Sequence, residues 1–482
     1  MKMIRDLEPQ KLWSRFADIC AIPHPSKQEA AICDYVIAFA KSHGLDYTQD
    51  ATGNIVVRKA ATAGYETHPA VILQAHLDMV PQKNSDKAFD FATDAIETYI
   101  DGDWVKAHGT TLGADNGIGC AAMLSILESN DLQHPAIEAL FTVDEETGLV
   151  GANGLSRDML TGATLLNLDS EDEGELYVGC AGAVNTTAEL LYKEDSTTNE
   201  VVSYGLEIKG LKGGHSGLEI RLQRANANKV LVRFIREQAV ANGLRISTFD
   251  GGGLRNAIPR EARAVVIVPR ANATAFEKAA EKFAEDITRE WALVEDAISF
   301  TVKTTEKPSI LVGKEDQRRI IAALTAAPNG VFRMSDAMTG LVETSTNMSR
   351  VAIGGGKLEV LFMTRCMVNY GKRELAAMIR SVFELAGAKV VEENDYDGWA
   401  PNMNSNILKT MQEGYQQLYG KIPEIRAIHA GLECGIIGGK YPALDMISIG
   451  PTMRFPHSPD EKVNIPTVKK FYDFLVYTLS KL

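Results

Sequence analysis

Positive charge is what this sequence has too little of. Its 50 lysines and arginines face 63 aspartates and glutamates, a formal net charge of −13. That balance argues against nucleic acid and against an anionic membrane surface as partners, because both select a basic face. Long apolar runs are missing as well. No stretch reaches the length of a bilayer span, and the segment Met1 to Gln10 has no apolar centre of signal-peptide length. Cysteine is sparse. The six thiols (Cys20, Cys33, Cys120, Cys180, Cys366, Cys434) form no C-x-x-C pair, so neither a disulfide framework nor a thiolate zinc site is suggested. The remaining composition is ordinary, 45% hydrophobic and 23% charged over 482 residues. It suits a cytoplasmic globular protein of two or three domains, taking about 150 residues per domain.

Hydrophobic periodicity predicts helices over 8–20 and 26–43, the second with Ser26 as N-cap, Glu29 three residues on and Gly44 at its end. Short strands follow at 45–49, 54–58 and 70–75, then an irregular polar stretch over 82–108. A glycine-dense loop, Gly109 to Gly119, leads into an apolar helix at 118–129. Strands at 137–143 and 164–168 run directly into acidic residues. This alternation predicts an α/β protein with a mixed, mostly parallel sheet flanked by helices.

The pattern changes near residue 183. Strands at 201–209, 245–249, 259–269 and 297–305 enclose helices at 219–242 and 272–291. A similar order returns with helices at 314–326 and 372–386 and strands near 341–352, 357–366 and 388–393. The region 183–396 therefore reads as an inserted α+β lid domain of two split-βαβ units. Helices at 404–419 and 465–480 and strands at 425–429 and 443–449 resume the first pattern. Residues 1–182 and 397–482 then form one discontinuous catalytic domain.

Chemistry concentrates where strands end. His76 and Asp78 follow an apolar run, and in extended chain residues two apart point to the same side. Asp115 lies in the glycine loop, Glu145 and Glu146 follow the strand at 137–143, Asp169 follows the next, and His457 lies just past the last. Individually each has a plain structural explanation: a turn aspartate, solvated acids, a core or surface histidine. Their recurrence at successive strand ends points instead to metal. Imidazole and carboxylate ligands without thiolate suit zinc, manganese or cobalt. Five ligands exceed one open tetrahedral site and suit two metals about 3.5–4 Å apart that share a carboxylate.

The segments His76-Leu-Asp78, Gly113-Ala-Asp115-Asn-Gly117, Asp144-Glu-Glu-Thr-Gly148, Asp169 and His457-Ser-Pro-Asp-Glu461 occur in this order. So do Gly213-Gly-His-Ser-Gly217, Leu254-Arg-Asn-Ala-Ile-Pro259 and Gly431-Leu-Glu-Cys-Gly435. Together they resemble, along essentially the whole chain, the co-catalytic zinc peptidase family of carboxypeptidase G, aminoacylase and the carnosine-type dipeptidases. Within that family the resemblance is to its aminoacyl-histidine dipeptidases. It implies two zinc ions per chain, with manganese or cobalt as substitutes, and Asp115 as the bridging ligand. His76 and Asp169 would complete one metal site, and Glu146 and His457 the other. Asp78 would back His76, Glu145 would be the general base, and the Asp115–Asn116 bond would be cis. His215 would donate to the oxyanion, with Arg365, Asn256 and Gly435 as candidate substrate contacts.

The implied substrates are dipeptides, Xaa-His species such as β-alanyl-histidine included. The same centre would serve an N-acyl-amino-acid deacylase or a carboxypeptidase, and a binding protein without activity is the alternative of another class. In family members with a one-unit lid, the lids of two subunits pair and the histidine serves the neighbour's site. Two units here imply a site complete within one chain, any homodimer being a stabilising association.

Overall fold

The computed structural model describes residues 3–482. By its internal contacts the chain divides into two compact units. One contains the residues up to Cys180, Trp399–Ala427 and Leu432–Leu482; the other contains Ala181–Gly398 and the short segment Ile428–Gly431.

The first unit is built on an eight-stranded mixed sheet. Its order is Asp46–Gln49, Ile55–Lys59, Ile137–Thr142, Val71–His76, Thr164–Asn167, Asp445–Ser448, Glu175–Cys180, Glu424–Ile428. The four strands from Ile137–Thr142 to Asp445–Ser448 run parallel. Strands Val71–His76 and Ile137–Thr142 are buried at every position, as continuous apolar runs are when both faces of a parallel sheet are covered. Three neighbouring parallel strands thus end side by side in His76, in the approach to Glu145 and Glu146, and in the approach to Asp169. Open α/β sheets keep their sites at this carboxyl edge.

Several local expectations are corrected. The second helix begins at Ala30, with Glu29 in the N-cap position. Ser26 does not cap it, because its hydroxyl is bonded to Asp78. Residues 82–108 are not wholly irregular: Thr98–Asp101 and Trp104–Ala107 form a hairpin. Lys462–Asn464 adds to its edge and Met453–Arg454 to that strand. The hairpin is short and half exposed, and its partner arrives from the far end of the chain, so periodicity alone carried no sign of it. The glycine loop enters its helix earlier than expected, at Ala114, with non-helical backbone at Asp115 and Asn116. Gly119 is needed there, since a Cβ would fall 2.8 Å from the Leu168 carbonyl oxygen and closer still to Asn116.

The second unit holds a nine-stranded sheet, with Gly330–Met334 paired beside its main path. The path runs Ser299–Thr304, Val201–Lys209, Ala262–Pro269, Arg245–Gly252, Val342–Gly354, Lys357–Cys366, Gly182–Leu191, Lys389–Tyr396. The first four strands and the helices Ala227–Ala241 and Ala273–Glu290 form one split-βαβ unit. The last four, with Lys314–Ala326 and Asn369–Leu385, form the other. The second split-βαβ unit takes its first strand, Gly182–Leu191, from ahead of the whole first split-βαβ unit, so the two are nested rather than consecutive. They join edge to edge where Arg245–Gly252 pairs with Val342–Gly354. The helix expected over 219–242 is divided into a single turn at Ile220–Leu222 and the helix Ala227–Ala241. Asn226 starts the latter by accepting from the backbone N–H groups of Asn228 and Lys229.

Candidate metal centre

The strand ends bring together His76, Asp115, Asp169, Glu145, Glu146 and His457. His76 Nε2 lies 3.2 Å from Asp115 Oδ1 and 3.4 Å from Asp169 Oδ1. His457 Nε2 lies 3.2 Å from Asp115 Oδ2 and 2.9 Å from Glu146 Oε1. Each oxygen of Asp115 therefore faces a different imidazole. Two sets, His76–Asp115–Asp169 and Asp115–Glu146–His457, hold their potential ligand atoms within 4.8 Å of one another and share Asp115. The Asp115–Asn116 peptide is cis. Asn116 Nδ2 donates to Asp169.

The donor set fits divalent cations. Among the described residues, Asp115, Glu146 and Asp169 have no lysine or arginine partner; only His76 and His457 pair with them. Glu146 Oε1 is buried, and its neighbour is the His457 ring nitrogen at 2.9 Å. Protonation equilibria register the crowding. The bonds from Asp115 and Glu146 push the His457 imidazole up to about 11. Burial pushes Asp169 up to about 6. Burial, with Asp169, Glu433 and Glu146 nearby, raises Glu145 well above the ordinary carboxylate range. Burial opposes a charge on His76, but Asp169, Asp115 and Asp78 raise it well above an ordinary imidazole. These shifts mark a pocket of crowded carboxylates whose charge bound cations would offset.

Asp78 ties the parts together. One oxygen is 3.4 Å from His76 Nδ1 and accepts from the Glu145 N–H at 2.9 Å. The other accepts from the Glu146 N–H at 3.2 Å and the Ser26 hydroxyl at 2.8 Å. Burial would raise this carboxyl, yet its bond to His76 and the donors around it hold it at about 2. It stays an anion, suited to orient both the histidine and the glutamate pair.

Three residues of this region were given no part in the site from sequence: Ser26, read there only as a helix cap, Glu433 and Glu461. Glu461 gathers the glycine loop, accepting from the N–H groups of Leu112, Gly113, Ala114 and Asp115 at 2.7, 3.0, 2.8 and 3.2 Å. Gly113 has φ +73°, which favours glycine there. Glu461→Ala would leave four backbone donors without an acceptor, each worth about 1–3 kcal/mol when buried. We expect a loss of several kcal/mol in urea unfolding, with Glu461→Gln, which keeps one acceptor oxygen, losing less.

The other candidates lie elsewhere. Gly435 is in the first unit, inside the buried start of the helix Glu433–Lys440. His215, Asn256 and Arg365 belong to the second unit. His215 Nδ1 accepts from the N–H groups of Gly217 and Leu218 at 3.2 and 3.1 Å. An accepting Nδ1 leaves the ring proton on Nε2. Burial and the Arg365 charge lower the His215 pKa and favour that neutral ring. Asn256 is exposed beside it, its carbonyl accepting from the Ser216 N–H at 2.8 Å. Arg365 is buried at the sheet position opposite Ser345. Its Nε has no hydrogen-bond partner. Gly217 separates the two groups: a Cβ there would meet His215 Cε1 at 3.0 Å and Arg365 Nε at 3.2 Å.

Residues 72–481 match the model of peptidase family M20/M25/M40. The chain belongs to that family. It is a hydrolase. The cytosol non-specific dipeptidase of Escherichia coli (strain K12) is 43% identical over 482 residues, covering 100% of this chain and 99% of that protein. The crystal structure of aminoacylhistidine dipeptidase from Vibrio alginolyticus superposes with a TM-score of 0.96 at 45% identity, covering 100% of this chain and 98% of that one. A tripeptidase from Staphylococcus aureus shares the fold, with a TM-score of 0.57 at 17% identity over 98% of both chains. No helix among the described residues is long and apolar enough to cross a membrane.

Proposed function

We propose that this chain is a cytosolic dipeptidase that hydrolyses dipeptides, Xaa-His substrates such as β-alanyl-histidine among them, with two zinc ions per chain. The observation that carries the reading is the Asp115 carboxylate, with one oxygen toward His76 and the other toward His457. Full-length similarity to relatives named as dipeptidases, one of them cytosolic, supports the substrate class and the location. His76, Asp115 and Asp169 would hold one ion, and Asp115, Glu146 and His457 the other. Zinc suits these ligands, and manganese or cobalt would substitute.

Bound there, the metals would supply a water acidified towards neutral pH and an electrophile for the peptide carbonyl. Glu145 takes the proton of the attacking water and delivers it to the leaving amine. Its raised pKa suits both halves of that transfer. Asp78 fixes the tautomer of His76 and anchors the backbone of Glu145 and Glu146. The neutral His215 donates from Nε2 to the developing oxyanion. Arg365 pairs with the substrate's terminal carboxylate, and Asn256 and Gly435 line the substrate. The reading requires residues 183–396 to act as a lid that closes on the substrate and expels water.

Chelation is expected to abolish cleavage of β-alanyl-histidine and alanyl-alanine, and added zinc, manganese or cobalt to restore it. Cleavage of N-acetylated amino acids in preference to dipeptides would assign a deacylase instead. A substrate analogue should also protect the segments near 183 and 396 from proteolysis. Identical digestion with and without a tight inhibitor would refute closure.

A further inference from the structure

Glu433 takes no part in the scheme above, yet it is completely buried in the first unit. Its Oε2 accepts from Gln74 Nε2 at 2.5 Å and from the Thr142 hydroxyl at 2.8 Å. Its Oε1 has no hydrogen-bond partner. Gln74 and Thr142 sit on the adjacent strands Val71–His76 and Ile137–Thr142, where Thr142 is level with His76. Gln74 shares a sheet face with His76, two residues on.

A carboxylate can only accept hydrogen bonds. Gln74 must therefore present its NH₂ to Glu433, which leaves its Oε1 to accept from Asn167 Nδ2 at 2.5 Å. Asn167 in turn must present Oδ1 to the Ser448 hydroxyl and to the Asp169 N–H, the latter at 3.3 Å. One acceptor thus sets the direction of a buried chain that runs beneath three strand ends and finishes on the backbone of Asp169. As the first residue of the helix Glu433–Lys440, the side chain also stands where the helix dipole favours an anion.

Resting on the two-metal reading above, we propose that Glu433 is a positioning residue for the metal centre. It clamps the ligand-bearing strands and places a negative charge beneath the two cations. The unpartnered oxygen explains the cost of keeping it: without metals burial disfavours the charged form of this carboxyl, with one oxygen bare, and with metals nearby the charge is favourable. Protein stability and metal affinity are thereby set against each other.

Glu433→Gln removes the charge at constant shape. Thermal unfolding of the metal-free variant is expected at or above the wild-type Tm, while zinc affinity in a competitive-chelator titration falls about 10–100-fold. Thr142→Val removes one donor and keeps the charge, so zinc affinity should fall by less. Unchanged zinc affinity in Glu433→Gln, or a lowered metal-free Tm alongside the affinity loss, would mark ordinary structural support and overturn the proposal. Should Glu433→Gln not fold, unchanged zinc affinity in Thr142→Val overturns it equally. Wild-type protein and His76→Ala run beside these variants separate the two readings. If the wild type binds no zinc, the proposed function itself fails; if it binds zinc and His76→Ala does not, only the role of Glu433 is at stake.

Discussion

Glu145→Ala is expected to retain both metals and lose about 10²–10⁴-fold in kcat, the range of general acid–base catalysis. Glu146→Ala should lose or loosen one metal as well. The two residues are neighbours in sequence and differ in what they face. Glu146 Oε1 lies 2.9 Å from His457 Nε2. Glu145 shares a potential ligand set with His76 and Glu146, but has no ion pair with either histidine. Burial and the surrounding acids raise the affinity of its carboxylate for a proton, which favours taking one from water. Metal content by mass spectrometry and turnover on β-alanyl-histidine should therefore separate the variants. Equal metal content together with equal activity would remove the distinction.

His215→Ala is expected to lower kcat by about 10²–10³, the effect of deleting one oxyanion donor. Mixing it with Glu145→Ala should restore nothing. The prediction follows from the nested second unit. Its two split-βαβ halves already pair through Arg245–Gly252 and Val342–Gly354 within one chain, so each chain contains the pairing of two units that the family resemblance ascribes to the lids of two subunits. Hybrid dimers in which each chain completed the other's site would regain activity on mixing. Recovery toward one quarter of wild-type turnover would show shared sites, and an inactive mixture is the expected result.

Most of the centre was legible in sequence because its logic is local. In a parallel sheet the residue just past a buried apolar run stands at the carboxyl edge. The runs ending before His76, Glu145 and Asp169 therefore marked the place without any knowledge of how the strands pair. The motif order also disclosed the family and the α/β class. The failures share the opposite property. The strand Gly182–Leu191 belongs to a half-unit whose remaining elements start more than a hundred residues later. Ser26 has the spacing of a helix cap, yet the Asp78 carboxylate provided a stronger partner than a backbone N–H.

The sequence by itself determined which residue types stand at the strand ends: imidazoles and carboxylates without thiolates, hence divalent metal, with hydrolysis implied by the resemblance of its motifs to a peptidase family. Only the tertiary structure decided which acids lie beside which donors. Glu461 and the glycine loop, Glu433 and Gln74, and Asp115 between two histidines are pairings between distant segments. Side-chain periodicity reports which face of an element is buried. It does not report what packs against that face, and for buried carboxylates the neighbour sets both the charge and the role.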